Sequence, residues 1–223
     1  MSRHISEQYD LELGAIRDQF MEMGGLVEQQ VADAGLAFIT HNLPLADKVN
    51  ENEARVNQME LAIDDNCVAI IARRQPAASD LRRVIGVMKA NADLERSGDE
   101  ANRVAKLAHS IADQDLPADQ YGELRKIHAD VCTMLNRSLD AFARLDVDAA
   151  REVIASDAEV DDAYRTMVRR CTGMLKENRD DAAHLLNQMW VARAFERIGD
   201  HAKNMSEYVI YQVLGRDVRH QPG

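Results

Sequence analysis

The chain has 223 residues and carries 38 acidic against 27 basic side chains, a formal net charge of −11 at pH 7. This balance argues against a nucleic-acid partner, because phosphate backbones are bound through basic patches, and it is compatible with the binding of cations. Apolar residues make up 46% of the chain but aromatic residues only 4%, and there are four prolines. Aliphatic side chains must therefore fill the core, and the composition favours helices.

The sequence indicates a reducing, cytoplasmic location. The isolated cysteines Cys67, Cys132 and Cys171 form no CxxC motif, and an odd number is typical of free thiols. The first residues, MSRHISEQYD, lack the apolar segment of a signal peptide. The longest apolar run, CVAIIA, is far shorter than the roughly 20 residues that cross a bilayer. We therefore expect a soluble protein of the cytoplasm.

In chain order, hydrophobic periodicity and punctuation predict six long helices. The clearest stripe, in the second helix, alternates steps of three and four residues: Leu45, Val49, Val56, Met59, Ile63, Cys67 and Ile70. Pro44 and Pro76 are expected in first turns, where the missing N–H costs nothing. The predicted helices span 4–41, 44–74, 77–113, 119–145, 147–177 and 181–213.

The chain contains an internal duplication. Glu-Arg-x-Gly-Asp occurs at 95–99 and again at 196–200, which is 101 positions later, in the third and sixth predicted helices. Upstream, the two halves align at an offset of 104, so that Val56 matches Val160. The sequence therefore predicts an all-α protein of two tandem, similar three-helix bundles. We place the two domains at 1–115 and 116–223, the second with a C-terminal tail.

The repeated motif is locally unfavourable. Glu95 and Asp99 stand at i and i+4 with Gly98 between them. Like charges at this spacing repel by about 0.2–0.5 kcal/mol, and a mid-helix glycine costs roughly 1 kcal/mol relative to alanine. A cation between the carboxylates would remove the repulsion, and a glycine would let a neighbouring helix or ligand come close.

The offset of 104 adds a second set of oxygen donors, because Asp157 and Asp161 of the fifth helix align with Glu53 and Asn57 of the second. Two antiparallel helices could point four such donors at one place. Carboxylates suit Mg²⁺, Mn²⁺, Ca²⁺ or oxygen-ligated iron better than structural zinc; the choice among Mg, Mn, Fe and Zn stays open. The predicted ligands are Glu53, Asn57, Glu95, Asp99, Asp157, Asp161, Glu196 and Asp200.

A plainer interpretation is that these acids lie in water. In a chain with 38 acidic residues, i,i+4 pairs arise by chance, and Glu60 with Asp64 illustrates this. His201 follows Asp200 directly, points about 100° away from it, and is therefore expected on the surface. Ser97 is expected to be incidental to any chemistry.

Five stretches resemble the PhoU family over about residues 1–220: RRQPAASDLR, LERSGDEA, DAFARLDVDAA, FERIGDHAKNMSEYVIY and LGRDVRH. The resemblance implies two similar three-helix bundles, each with paired E(D)xxxD motifs that bind metal, in some members as multinuclear iron clusters. By position these motifs fall on the eight residues given above. Asn57 departs from the pattern, because an amide stands where the family has an acid.

The resemblance also implies a regulatory role. PhoU-family proteins repress the phosphate-starvation response when phosphate is plentiful, by linking the ATPase subunit of the phosphate ABC transporter to the membrane-bound sensor histidine kinase, and they restrain phosphate uptake. Such a protein would meet the membrane only through its partners, and we expect a homodimer.

The residues give no independent sign of catalysis. Gly98 and Gly199 are single helical glycines, unlike the G-x-x-x-x-G-K loop that cradles phosphates, and no nucleophile–base constellation stands out. We therefore predict that the protein is not an enzyme. Two alternatives remain open: a di-metal carboxylate enzyme, disfavoured because the Glu-x-x-His spacing of such sites is missing, and a metal-free helical scaffold. The nearest approach to that spacing is Asp181-x-x-His184, at a helix start.

Overall fold

The computed structural model describes residues 2–111, 121–177 and 182–218, with side chains from residue 8 onward, and within them all regular secondary structure is helical. The predicted domain boundary at 115/116 and the predicted helix ends at 113, 119 and 181 lie outside the described residues. None of the described helices has the length and apolar character needed to cross a bilayer. The helices are α1 (Ser2–Thr40), α2 (Leu43–Arg74), α3 (Ala78–Ser110), α4 (Gly122–Arg144), α5 (Val147–Glu177) and α6 (Ala182–Leu214).

The ends of α2 and α3 follow local chemistry. At the start of α2 the Asn42 side chain accepts a hydrogen bond from the Leu45 N–H, and Pro44 lies in the first turn as expected. At its end Gln75 adopts a left-handed conformation with φ of 47°. Pro76 was expected in the first turn of α3 and lies before it, because Ala77 has extended dihedral angles and the helix begins only at Ala78.

The six helices form two three-helix bundles that pack side by side. Within each half all three helices contact one another, and between the halves α3 packs along α6 while α1 packs against α4. The α3–α6 pair is antiparallel, since Arg197 pairs with Glu100 and Asn187 donates to the Ser110 hydroxyl farther along. The α6 helix is therefore covered on most sides and contributes the longest list of buried residues.

The structure confirms the duplication at atomic level. A Cβ built at Gly98 would lie 3.5 Å from Cγ1 of Val56, and one built at Gly199 would lie 3.6 Å from Cγ1 of Val160. These two valines are the pair that the offset of 104 aligns. Both glycines are buried where their helix crosses a neighbour. Each half therefore repeats the same packing of its second helix against its third.

Candidate metal centres

In the second half, α5 and α6 bring four carboxylates together. Asp157 and Glu196 are buried, each about 8% exposed, while Asp161 and Asp200 are half-buried. The two helices run antiparallel, so that Asp200 faces Asp157 and Asp161, and Glu196 faces Asp161. The four predicted ligands of this half are therefore near enough to influence one another, and we call this cluster the second-half site.

Burial and mutual repulsion make the carboxyls of Asp200 and Glu196 harder to ionise. Burial, followed by repulsion from Asp157 and then Asp161, raises the pKa of Asp200 above its ordinary value. Burial, followed by repulsion from Asp200, raises the pKa of Glu196, although Arg193 offsets part of this shift. The protein thus holds negative charge in a partly desolvated place, which is favourable only when positive charge is nearby.

Basic side chains supply part of that positive charge. Lys203 donates to Asp157 over 2.6 Å, Arg165 donates to Asp161 over 2.8 Å, and Arg193 pairs with Glu196. One buried oxygen, Oε2 of Glu196, has no hydrogen-bond partner within the described residues. A buried carboxylate oxygen without a partner is costly, so this atom is an available ligand.

The first half repeats the arrangement with a difference. Glu95 and Asp99 are half-buried on α3, and Glu53 is half-buried on α2 and lies 3.8 Å from the Lys106 ammonium. Asn57, the amide that replaces an acid, is exposed. The first-half site therefore has three of its four predicted ligands in partly buried positions.

Glu60 lies near Glu95, a proximity that the sequence reasoning did not predict. Burial, then repulsion from Asp99 and then from Glu60, raises the pKa of Glu95, so Glu60 faces Glu95. Glu60 is itself half-buried, and Asn91 of α3 donates both to its backbone carbonyl and to Asp64. The pair cited as a chance spacing therefore lies against α3. The sequence signal for this proximity was the position of Glu60 one turn beyond Asn57 on the same helix.

His201 corrects another expectation. It is buried at 8% exposure, and its Nδ1 donates to Asp93 Oδ1 over 2.7 Å. Asp93 also accepts hydrogen bonds from Asn204 over 3.2 Å and from the Tyr208 hydroxyl over 2.9 Å. The rotation of 100° from Asp200 directs His201 onto α3 rather than into solvent. His201 is close enough to Glu95 on one side and Asp200 on the other to interact with both, so it lies between the two sites.

The side chains are not arranged around a cation in this conformation. Among the described residues, no group of three or more His, Cys, Asp and Glu side chains converges with metal-binding geometry. In the second half the acids turn toward Lys203, Arg165 and Arg193 instead. Ligation would therefore require these ion pairs to open and the carboxylates to rotate toward a common centre.

Comparison with known proteins identifies the family. A family model described as the PhoU domain matches residues 20–108 and again residues 124–209. The chain belongs to the PhoU family. The phosphate-specific transport system accessory protein PhoU homolog of Pseudomonas aeruginosa is 46% identical over 220 residues, spanning 99% of this chain and 91% of that protein. The accessory protein PhoU of Escherichia coli is 41% identical over 224 residues, spanning 100% of this chain and 92% of that protein.

Solved structures agree with the PhoU fold. The crystal structure of PhoU from Pseudomonas aeruginosa matches with a TM-score of 0.91 at 45% identity, covering 93% of this chain and 100% of that one. The phosphate transport system regulatory protein PhoU from Streptococcus pneumoniae matches with a TM-score of 0.87 at 26% identity, covering 94% and 99%. The predicted all-α fold of tandem three-helix bundles is therefore confirmed.

Two other side chains singled out in the sequence, His184 and Ser97, are both buried. His184, from the nearest approach to a Glu-x-x-His spacing, is buried against the Tyr121 ring with centroids 5.6 Å apart, and Asp181 lies outside the described residues. Ser97 is buried and donates to the Asp93 carbonyl within its own helix. Both side chains are therefore engaged in contacts of their own, His184 with an aromatic ring and Ser97 with its own helix.

Proposed function

We propose that this protein is a cytoplasmic, metal-binding regulator of phosphate homeostasis. In this proposal it represses the phosphate-starvation regulon and restrains phosphate uptake, by linking the ATPase subunit of the phosphate ABC transporter to a sensor histidine kinase. The observation that carries the proposal is similarity over 99% or more of the chain to proteins named as accessory proteins of phosphate-specific transport. Those names describe accessory proteins, not enzymes, in agreement with a role exerted by binding.

The proposed metal sites are supported by the chemistry of the donor sets. The second-half site has four carboxylates, two of them buried, and Oε2 of Glu196 is buried without a hydrogen-bond partner. A bound cation would supply the positive charge that burial and repulsion demand at Asp200 and Glu196. Asp157 and Asp161 would complete the second-half set. Glu53, Glu95 and Asp99, with Glu60 added, would form the first-half set; Asn57 is the weakest of the predicted ligands because it is neutral and exposed.

The packing of α3 against α6 explains how the sites could act on a partner. Each site joins two helices of one half, and its third-helix ligands lie on α3 or α6, the two helices that form the interface between halves. The buried Asp93–His201 pair crosses that interface between the sites. A cation that fixes α2 to α3 or α5 to α6 would thus stiffen one face of the molecule. A protein of this kind acts by differential affinity for the states of its partners.

The regulatory proposal is tested in a deletion strain. We expect phosphate-starvation genes to be derepressed in phosphate-rich medium when the protein is absent. Graded re-expression should restore repression, which rises and then saturates with protein level, because the protein acts by binding. Removal of the sensor kinase should abolish the effect. A starvation reporter that stays low in the deletion strain and does not change on re-expression would reject the regulatory role.

A metal-free scaffold is a second candidate, favoured by the basic side chains that already pair with the acids. Lys203, Arg165 and Arg193 neutralise much of the second-half site without a cation. Elemental analysis after purification in metal-containing buffer separates the two functions. The scaffold predicts no stoichiometric metal, whereas the regulator predicts metal that disappears when Glu196 and Asp200 are both replaced by alanine.

A further inference from the structure

An open groove with a volume of about 540 Å³ lies between α3 and α6, at the junction of the two halves. We call it the α3–α6 groove. Its floor is the contact between the helices, and its walls carry long basic side chains and one aromatic ring. The residues that matter here are Arg103, Lys106 and Leu107 of α3 and Trp190, Arg193 and Arg197 of α6.

The groove is basic in an acidic protein. Four of its lining side chains are cationic and one, Glu100, is acidic, whereas the chain as a whole carries a net charge of −11. Glu100 is buried beneath Arg103 and Arg197, which both pair with it. All four cationic side chains remain between 38% and 63% exposed. Lys106 and Arg193 also pair with Glu53 and Glu196 at the edges of the groove, so four cations face three carboxylates and the groove keeps a small excess of positive charge.

The groove also presents an apolar anchor. Trp190 is the chain's single tryptophan and is 63% exposed. Leu186, one turn earlier on the same face of α6, is 45% exposed. Exposed tryptophan beside arginine is the composition of binding hot spots, where the ring is desolvated by a partner. The two exposed apolar residues thus continue the groove into a short apolar strip.

The shape of the groove selects an elongated ligand. Only α3 and α6 line it, and from Glu100 opposite Arg197 to Leu107 opposite Trp190 it extends seven residues, which is about 10 Å of helix. Small-molecule sites usually enclose 70–90% or more of a ligand, and a groove between two helices open along its length encloses far less. An amphipathic helix lies in such a groove with its apolar side down.

We propose that the α3–α6 groove docks an acidic amphipathic helix of a partner protein. Its apolar residues would pack on Trp190 and Leu107, and its carboxylates would pair with the four basic side chains around them. This docking rests on the proposed adaptor role and specifies its surface and the chemistry of the partner segment. Charge complementarity, rather than apolar area alone, selects the partner.

The same basic residues connect the groove to both candidate metal sites. Lys106 lies 3.8 Å from Glu53 of the first-half site, and Arg193 pairs with Glu196 of the second-half site. A metal ion that engages Glu53 and Glu196 would release both cations toward the groove. Metal and acidic helix should therefore strengthen each other's binding, and by linkage the two enhancements are equal.

Trp190 reports on the groove directly, because no other tryptophan contributes to the emission. The probe is a synthetic peptide of about 18 residues, roughly five helical turns, with leucine at the a and d positions and glutamate elsewhere. A peptide of the same pattern with lysine in place of glutamate is the matched ligand control. We expect saturable binding of the acidic peptide with a blue shift of Trp190 emission, and no binding of the lysine peptide.

Two variants of the protein complete the test. Lys106→Glu combined with Arg103→Gln changes the groove charge, and Lys126→Glu combined with Arg125→Gln makes the same change on the exposed face of α4. With fluorescein-labelled peptide, followed by anisotropy, the groove variant should bind about tenfold or more weakly. The α4 variant should bind as the unchanged protein does. Circular dichroism checks that both variants keep their helical content.

Several outcomes would overturn the docking proposal. These are failure of the acidic peptide to bind, equal binding of the lysine peptide, and equal binding by the groove variant. A shift of Trp190 emission by ATP or inorganic phosphate, without peptide binding, would assign the groove to small anions instead. A dimer that dissociates only in the groove variant, again without peptide binding, would assign it to a second copy of the chain.

The coupling between metal binding and peptide binding is tested in a separate experiment. Peptide affinity is measured in EDTA and in Mg²⁺ with the same protein, and we expect tighter binding with Mg²⁺. Peptide binding that Mg²⁺ does not alter, in a protein shown by calorimetry to bind Mg²⁺, would overturn the coupling and leave the docking intact. Peptide binding in a protein that takes up no metal would reject the proposed metal sites alone.

Discussion

Replacement of Asp200 by asparagine should stabilise the metal-free protein. Asp200 is half-buried, faces Asp157 and Asp161, and in turn repels Glu196. Three like-charge pairs at about 0.2–0.5 kcal/mol each sum to about 0.6–1.5 kcal/mol. Lys203 attracts Asp200 and reduces this sum, so we expect a net gain of about 0.5–1 kcal/mol in the free energy of unfolding. Asparagine keeps the shape of the side chain, and the packing should not change.

The assay is urea unfolding in EDTA, followed by far-UV circular dichroism. Asp65→Asn is the matched control, because Asp65 is exposed on α2, and it should change stability by no more than about 0.5 kcal/mol. Destabilisation by Asp200→Asn, or a change equal to that of the control, would show that repulsion is not stored at the second-half site.

The pH dependence of stability tests the same prediction independently. Burial, followed by repulsion from Asp157 and Asp161, raises the pKa of Asp200 above its ordinary 3.8, so the folded chain holds this proton more tightly than the unfolded chain. This carboxyl therefore makes the fold less stable as pH rises from the ordinary value through the raised pKa, and the penalty is complete above the raised pKa. The gain from Asp200→Asn should accordingly shrink toward acid pH. A gain that grows on acidification would contradict the assigned shift.

Three further predictions concern the packing around the sites. Gly199→Ala should be tolerated, because its Cβ would lie an ordinary 3.6 Å from Val160. Gly199→Leu should crowd that contact and lower the stability measured by thermal unfolding by about 1–3 kcal/mol. If leucine stabilised the protein, the close approach of α5 to α6 at this glycine would be refuted. Tyr208→Phe should cost about 0.5–1.5 kcal/mol in the normal background, because its hydroxyl donates to the Asp93 carboxyl, and little in an Asp93→Ala background. Equal costs in the two backgrounds of this double-mutant cycle would show that the hydrogen bond does not stabilise the fold. Burial lowers the pKa of His128 below its ordinary 6.5, so the unfolded chain binds this proton more readily than the folded chain, and stability should fall as pH drops below 6.5. His128→Gln should flatten this part of the curve of stability against pH. An unchanged curve would show that His128 is not held neutral by burial.

The fold could be predicted from the sequence because its signals are local or repeated. The stripe along α2 is buried at Val49, Val56, Ile63, Cys67 and Ile70, as its spacing predicts. A helical stripe of apolar residues shows which face of a helix is buried, whichever neighbouring helix covers that face. The duplication then showed which helices of the two halves correspond. Both signals can be recognised in the sequence without knowledge of the tertiary structure.

The errors arose where the identity of the neighbouring helix decides the environment. His201 was placed on the surface from its angle to Asp200, although α6 is packed against helices on several sides and that direction is occupied by α3. Glu60 was not among the predicted ligands, because the alignment of the halves assigned the positions on α2 to Glu53 and Asn57. Its approach to Glu95 depends on the register of α2 against α3, which no single-helix pattern contains. Pro76 lies two residues before α3 because Ala77 keeps extended dihedral angles and the helix begins only at Ala78.

The most direct test of the central claim is the metal stoichiometry of each half. The purified protein is equilibrated with Mn²⁺, freed of unbound metal by gel filtration, and analysed for manganese per chain. Glu95→Ala with Asp99→Ala should remove the share bound by the first half, and Glu196→Ala with Asp200→Ala the share bound by the second, while Asp65→Ala removes none. Circular dichroism should show the same helical content throughout. Equal manganese in all four proteins, or none in any, would contradict the assignment of the paired carboxylates as metal ligands.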